Sequence, residues 1–112
     1  MKFIGAGLLW TSFLLIGIKA SEYFEKRSVV FNELMLSNDG AYPDSKGQFY
    51  DYCELYNTTD YEVDLTGCEI YNEKTQMSWT FSDGTTIEPH GFMILFFSGD
   101  GNGSNYVNMK LS

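Results

Sequence analysis

Asp51-Tyr52-Cys53-Glu54-Leu55-Tyr56-Asn57 is the stretch on which the reading of this chain turns. Cys53 and Leu55 share one parity while Tyr52, Glu54 and Tyr56 share the other, the period of two expected of a strand with one buried face. Asn57 then opens a turn through Asp60. Three segments of the same kind follow in order. They are Val63-Asp64-Leu65-Thr66-Gly67-Cys68-Glu69-Ile70, Trp79-Thr80-Phe81-Ser82-Asp83-Gly84-Thr85-Thr86-Ile87, and Pro89-His90-Gly91-Phe92-Met93-Ile94-Leu95-Phe96. Each is a short run of aliphatic, β-branched or aromatic residues closed by a turn former. Working outward, residues 29–36 predict a first strand, and 37–48 a long loop with three turn signals, Asn38-Asp39-Gly40, Pro43-Asp44 and Lys46-Gly47. Asp83-Gly84 reads as a hairpin-type turn, and residues 106–111 as a last strand. Helical periodicity is absent beyond the first twenty residues, so the expected class is all-β, with turns spaced as in a sandwich.

Taken together, the four segments resemble the lamin tail domain, an immunoglobulin-like β-sandwich. In that family an Asp-aromatic-apolar-Glu-Leu-Tyr-Asn strand precedes an Asp-Leu-Ser/Thr-Gly bend. A Trp-x-Phe strand, a Gly-Thr-x-Ile turn and a Gly-aromatic-aliphatic strand come after. Asp51, Glu54, Leu55, Asn57, Leu65, Gly67, Trp79, Gly84 and Gly91 carry the resemblance here, and it implies structural roles for them. The family pattern continues with further strands past the stretch similar to residues 105–112. The resemblance therefore implies an incomplete sandwich with closing strands missing, and with strand edges open to self-association.

The first twenty residues read differently. Lys2 precedes an apolar run of about 16 residues from Phe3 to Ile18, followed by Lys19-Ala20-Ser21. A bilayer span needs roughly 20 apolar residues, so 1–20 are expected to form a signal-peptide helix removed after Ala20. An uncleaved anchor is the alternative. Residues 21–28 are read as a linker and 29–112 as the partial sandwich. The chain would then meet the membrane only transiently and be secreted or held at the cell surface.

The 112 residues carry a formal charge of −8, and removal of Lys2 and Lys19 would make it −10. Nucleic-acid binding is not expected, because the phosphate backbone is held by clustered Lys and Arg, and only Lys26 and Arg27 adjoin here. Cys53 and Cys68 share inward parity with Leu55 and Ile70. In an exported chain they are expected to form a disulfide, the alternative being two buried thiols that pack as small hydrophobes.

Little in the sequence points to catalysis. His90, the one histidine, lies in a Pro-Gly turn with no nucleophile motif beside it, and two Cys with one His are too few for zinc. Glu33 and Glu54 could pair as glycosidase carboxylates, but solvent-facing strand positions explain them more simply. Asp100, Asn102 and Ser104 alternate as calcium ligands do. The positions where a calcium loop wants Gly and Glu hold Asn105 and Leu111, so they are weak candidates, as are Asp39, Asp44 and Asp51. Asn57-Thr58-Thr59 and Asn102-Gly103-Ser104 satisfy the N-glycosylation acceptor pattern. Tyr50, Tyr52, Tyr56, Tyr61 and Tyr71 either cover a sheet's outer face or anchor a partner. No cofactor is expected. The functional expectation is a non-catalytic interaction module with a protein or cell-surface partner, part of a larger surface or secreted protein. The alternative is an accessory fragment of an extracellular hydrolase or nuclease.

Overall fold

A computed structural model describes residues 2–4, 9–10, 15–19, 28–36, 38, 40, 42–99 and 105–109. The described elements are all strands: β1 (Lys2–Ile4), β2 (Leu9–Trp10), β3 (Leu15–Lys19), β4 (Val29–Met35), β5 (Tyr52–Asn57), β6 (Val63–Asp64), β7 (Glu69–Asn72), β8 (Met77–Thr80), β9 (Thr86–Ile87) and β10 (Phe92–Phe96). They form a sheet of order β1-β4-β5-β10, a second of order β2-β3-β7-β8, and a β6-β9 ribbon. All pairings between these strands are antiparallel.

The inner faces follow strand parity. Cys53 and Leu55 of β5, Leu95 of β10 and Ile70 of β7 are fully buried in one core cluster with Ile16, Leu65 and Cys68. In β4 the parity changes midway, since Val29 and Phe31 point inward and then Leu34 and Leu36 do. A β-bulge between Phe31 and Glu33 absorbs the extra residue, Asn32, and so keeps all four apolar side chains inside.

Four expectations are corrected. Residues 2–4, 9–10 and 15–19 are strands where a signal-peptide helix was expected. An apolar run can serve as a buried strand as readily as a helix, and β7 offers an edge to pair with. β3 takes it, from Ile16↔Asn72 to Lys19↔Glu69, and Ile16 enters the core. Second, Asp83-Gly84 turns the chain from β8 into β9 without forming a hairpin, because β9 pairs with β6. Third, residues 106–109 make no regular strand. Tyr106 forms a single parallel bridge to Phe96 while Val107 and Met109 are buried.

The fourth concerns the cysteines. Cys53 and Cys68 are both fully buried, and no disulfide joins them. Parity aimed them correctly, but parity sets direction and not separation. Cys53 belongs to one sheet, and Cys68 enters the strand β7 of the other. Facing sheets lie about 10 Å apart, while a bridge needs Cα atoms within about 7 Å. Burial, with the Glu54 carboxylate beside it, pushes the Cys53 thiol strongly upward in pKa. Of the calcium candidates, Asp100, Asn102, Ser104 and Asp39 lie outside the described residues, as does the 21–27 stretch of the linker.

Candidate interaction surface

The outer face of the β1-β4-β5-β10 sheet is laid out in three cross-strand rows. Phe92, Tyr56 and Val30 face one another across β10, β5 and β4; Ile94, Glu54 and Glu33 form the next row, and Phe96, Tyr52 and Met35 the third. An acidic row thus lies between two apolar ones. Like charges directly opposite destabilise a sheet, and here both carboxylates are held by neutral donors. Asn32 Nδ2 donates to Glu54 Oε1 at 2.7 Å, and the Tyr52 hydroxyl donates to Glu33 Oε1. Burial and this bond raise the Tyr52 hydroxyl pKa.

The third row is covered. Tyr42 packs on Tyr52 and stacks on Phe96, and Tyr106 stacks on the same Phe96. The loop between β4 and β5 is fastened to permit this. Asn38 Nδ2 donates to the carbonyls of Tyr42 and Tyr50, and Asp51 Oδ1 accepts the Asn38 N–H. The Asp44 carboxylate accepts the Lys46 and Gln48 N–H groups, while its second oxygen takes the Tyr106 hydroxyl at 2.7 Å. The Tyr106 bond above all holds Asp44 below its ordinary pKa and raises that of Tyr106. Asp44 and Asp51 therefore organise the loop, and among the described residues no group of three or more His, Cys, Asp or Glu could hold a metal.

The first row is open. Phe92 is 58% exposed, with its ring 4.8 Å from that of Tyr56. The Tyr56 hydroxyl lies 3.0 Å from His90 Nδ1, and His90 Nε2 lies 2.5 Å from Asp60 Oδ1. A carboxylate only accepts, so Nε2 carries a proton and donates to Asp60, while Nδ1 shares the bond with the Tyr56 hydroxyl. Among the described residues no Ser or Cys joins this chain of bonds, which positions the Tyr56–Phe92 aromatic pair.

Beside these rows runs the free edge of β10. Asn57 N–H bonds the Gly91 carbonyl at 3.0 Å and Phe97 N–H bonds that of Asp51 at 2.8 Å, so odd-numbered residues aim their backbone at β5. Even-numbered ones aim theirs away. Phe96 spends its pair on residues 105–107, and the Ile94 carbonyl meets Asn105 Nδ2 at 3.5 Å. Among the described residues no strand lies beside Phe92 and Ile94 on that side. An open groove of about 800 Å³ adjoins this edge, with Tyr42, Asp44, Asp83, Thr86 and Ile94 in its walls.

The remaining residues singled out from the sequence are scaffold. Asn57 is fully buried; its Nδ2 donates to the carbonyls of Tyr61, Ile87 and Glu88, and its Oδ1 accepts from Thr59. That amide is not available to carry a glycan in the folded domain. Leu55 and Leu65 are core, and Leu65 N–H bonds Thr85 O at 2.8 Å. Gly67 and Gly84 both hold positive φ, and Gly84 N–H reaches the Thr66 hydroxyl. Trp79 lies edge-on to Phe81. A Cβ on Gly91 would meet Glu88 O at 3.0 Å.

This pattern of pinned turns under a sandwich has a counterpart among known families: the family model described as Lamin Tail Domain matches residues 24–111. The chain belongs to the lamin tail domain family. No curated protein and no solved structure matches it. As a lamin tail domain it is an immunoglobulin-like fold of a structural and binding family. Its motif residues hold turns together or pack in the core, and the open edge expected from the sequence lies at Phe92 and Ile94, whereas the contacts of Tyr42 and Tyr106 with the sheet were not singled out. Outward parity opposite Leu55 and Leu95 was the available signal for the edge. The loop contacts left none.

Proposed function

We propose that this lamin tail domain is a non-catalytic interaction module that is exported and works within a larger surface or secreted protein, where it grips an extended, positively charged segment of a protein partner. The observation that carries this reading is the free β10 edge at Phe92 and Ile94 beside an acidic groove. A strand added there gains backbone bonds from the edge, while side-chain specificity comes from the Phe92–Tyr56 rings and the Glu54 and Glu33 row. The net negative charge favours a basic partner and speeds encounter at low salt.

An alternating Lys/Val peptide serves as the probe. Its binding should shift the Phe92 and Ile94 amide resonances and weaken as salt rises. Ile94→Pro removes the outward N–H while leaving the β5 ladder intact, and it should weaken binding by about tenfold, the worth of one such bond. Shifts confined to another face would overturn the reading. Export is tested separately, by finding a mature amino terminus near Ser21 in secreted protein.

A further inference from the structure

The other sheet also has an edge, and it is filled from outside the family match. β7 lies within residues 24–111, whereas its neighbour β3 precedes them. β3 ends at Lys19, one residue before the expected cleavage point at Ala20, so removal of the leader would take the whole strand. That would bare the β7 ladder and the space that Ile16 occupies in the core.

β3 also fits its place imperfectly. Asn72 is 1% exposed, and its Oδ1 accepts the N–H groups of Lys74 and Thr75, which fixes the orientation of the amide. Its Nδ2 is buried with no partner among the described residues. The residue directly across the ladder is Ile16, on the same inward face and about 5 Å away at Cβ. An isoleucine offers that donor nothing. Buried amide donors are nearly always satisfied, so the missing acceptor belongs at the position Ile16 now holds.

We propose that the groove beside β7 is a strand-acceptor site. The leader segment Leu15–Lys19 fills it as a stand-in, and its proper occupant is an extended segment of another polypeptide. That segment carries a side-chain acceptor, such as Asn or Gln, opposite Asn72 and an aliphatic residue opposite Ile70, where Ile18 now pairs. This site is separate from the β10 edge and stands or falls independently of it. It rests on the leader reading only for how the groove becomes free in the cell.

The experiment uses the full chain with a protease site inserted between Ala20 and Ser21. After cleavage, a labelled peptide of residues 11–20 and its Ile16→Asn version compete for the groove, followed by fluorescence anisotropy. Both should displace the cleaved 1–20 fragment, and the Asn peptide should bind about tenfold tighter, the gain from one satisfied buried donor. In the Asn72→Leu protein the order should reverse, a readout that a merely structural strand would not give. Three results would each overturn the proposal: a fragment that excess peptide cannot displace, a cleaved protein that takes neither peptide, or a preference unchanged by Asn72→Leu. Retention of 1–20 in protein from the native source would remove the leader reading while leaving the acceptor site testable.

Discussion

Asn57 and Asn72 are two buried asparagines, each the last residue of a strand, and the regions around them differ in completeness. Around Asn57 every polar atom of the side chain is used, by three carbonyls and by Thr59. That one amide ties the end of β5 to the turns at Tyr61 and Glu88. Around Asn72 half the amide is idle, beside a strand that lies outside the family match. Satisfied polar networks rigidify a fold, whereas a buried donor left unpaired costs stability. The contrast sets a fully bonded turn amide against one with an idle donor.

The sharpest way to break the comparison is Asn57→Ala. It strands three carbonyls and removes two acceptor bonds, so it should cost about 3–4 kcal/mol in urea unfolding. A loss under about 1 kcal/mol would show that the turns hold without it. Gly91→Ala probes the same region by crowding. Its Cβ would press on the Glu88 carbonyl at 3.0 Å, and the expected loss is about 1–2 kcal/mol by the same assay.

Tyr106→Phe tests whether the loop over the third aromatic row is as firmly tied, with an expected loss smaller than that of Gly91→Ala. Its pH dependence carries more information. Asp44 is depressed below 3.8 in the folded state, so its contribution is present above the ordinary carboxylate value and is lost as pH falls through the lower folded one. Tyr106 is raised above 10.0, so the same tie persists in base until pH climbs past that higher value. The Lys46 and Gln48 amide resonances should titrate in acid with a midpoint below 3.8. Tyr106→Phe should move that midpoint up. An unmoved midpoint would mean that the backbone donors alone hold the carboxylate.

The smallest effect is expected at Asn72→Leu. It forfeits the bonds to Lys74 and Thr75 but also removes a buried idle donor, so stability should change by no more than about 1 kcal/mol in either direction. A loss as large as that of Asn57→Ala would erase the distinction between the two regions.

Much of this architecture was legible in residue parity. Tyr52, Glu54 and Tyr56 are outward because Cys53 and Leu55 are inward, and Gly67 and Gly84 stand where positive φ is required. What escaped depends on long-range geometry. The separation of Cys53 from Cys68 is a property of two sheets, not of either strand. The route of the β4–β5 loop is set by Asn38 and Asp44 finding partners up to 62 positions away. The 15–19 run is apolar without a marked period, so only the vacant β7 edge decided that it would be a strand. An open edge was expected from the missing closing strands, but its position at Phe92 and Ile94 depends on which strands pair, and no single residue announces the absence of a neighbour.

The bulge in β4 bears on how this chain tolerates changes of length. The sheet needs one residue between Phe31 and Leu34, and the sequence supplies two. Deleting either Asn32 or Glu33 would leave a regular strand with Val29, Phe31, Leu34 and Leu36 still facing the core. Deleting Glu54 from β5 has no such reserve: it would turn Leu55 outward and Tyr56 inward, or force a new bulge against both neighbours. A scan of single-residue deletions should therefore find a permissive gap in the middle of β4, flanked on every side by positions where the loss of one residue abolishes folding.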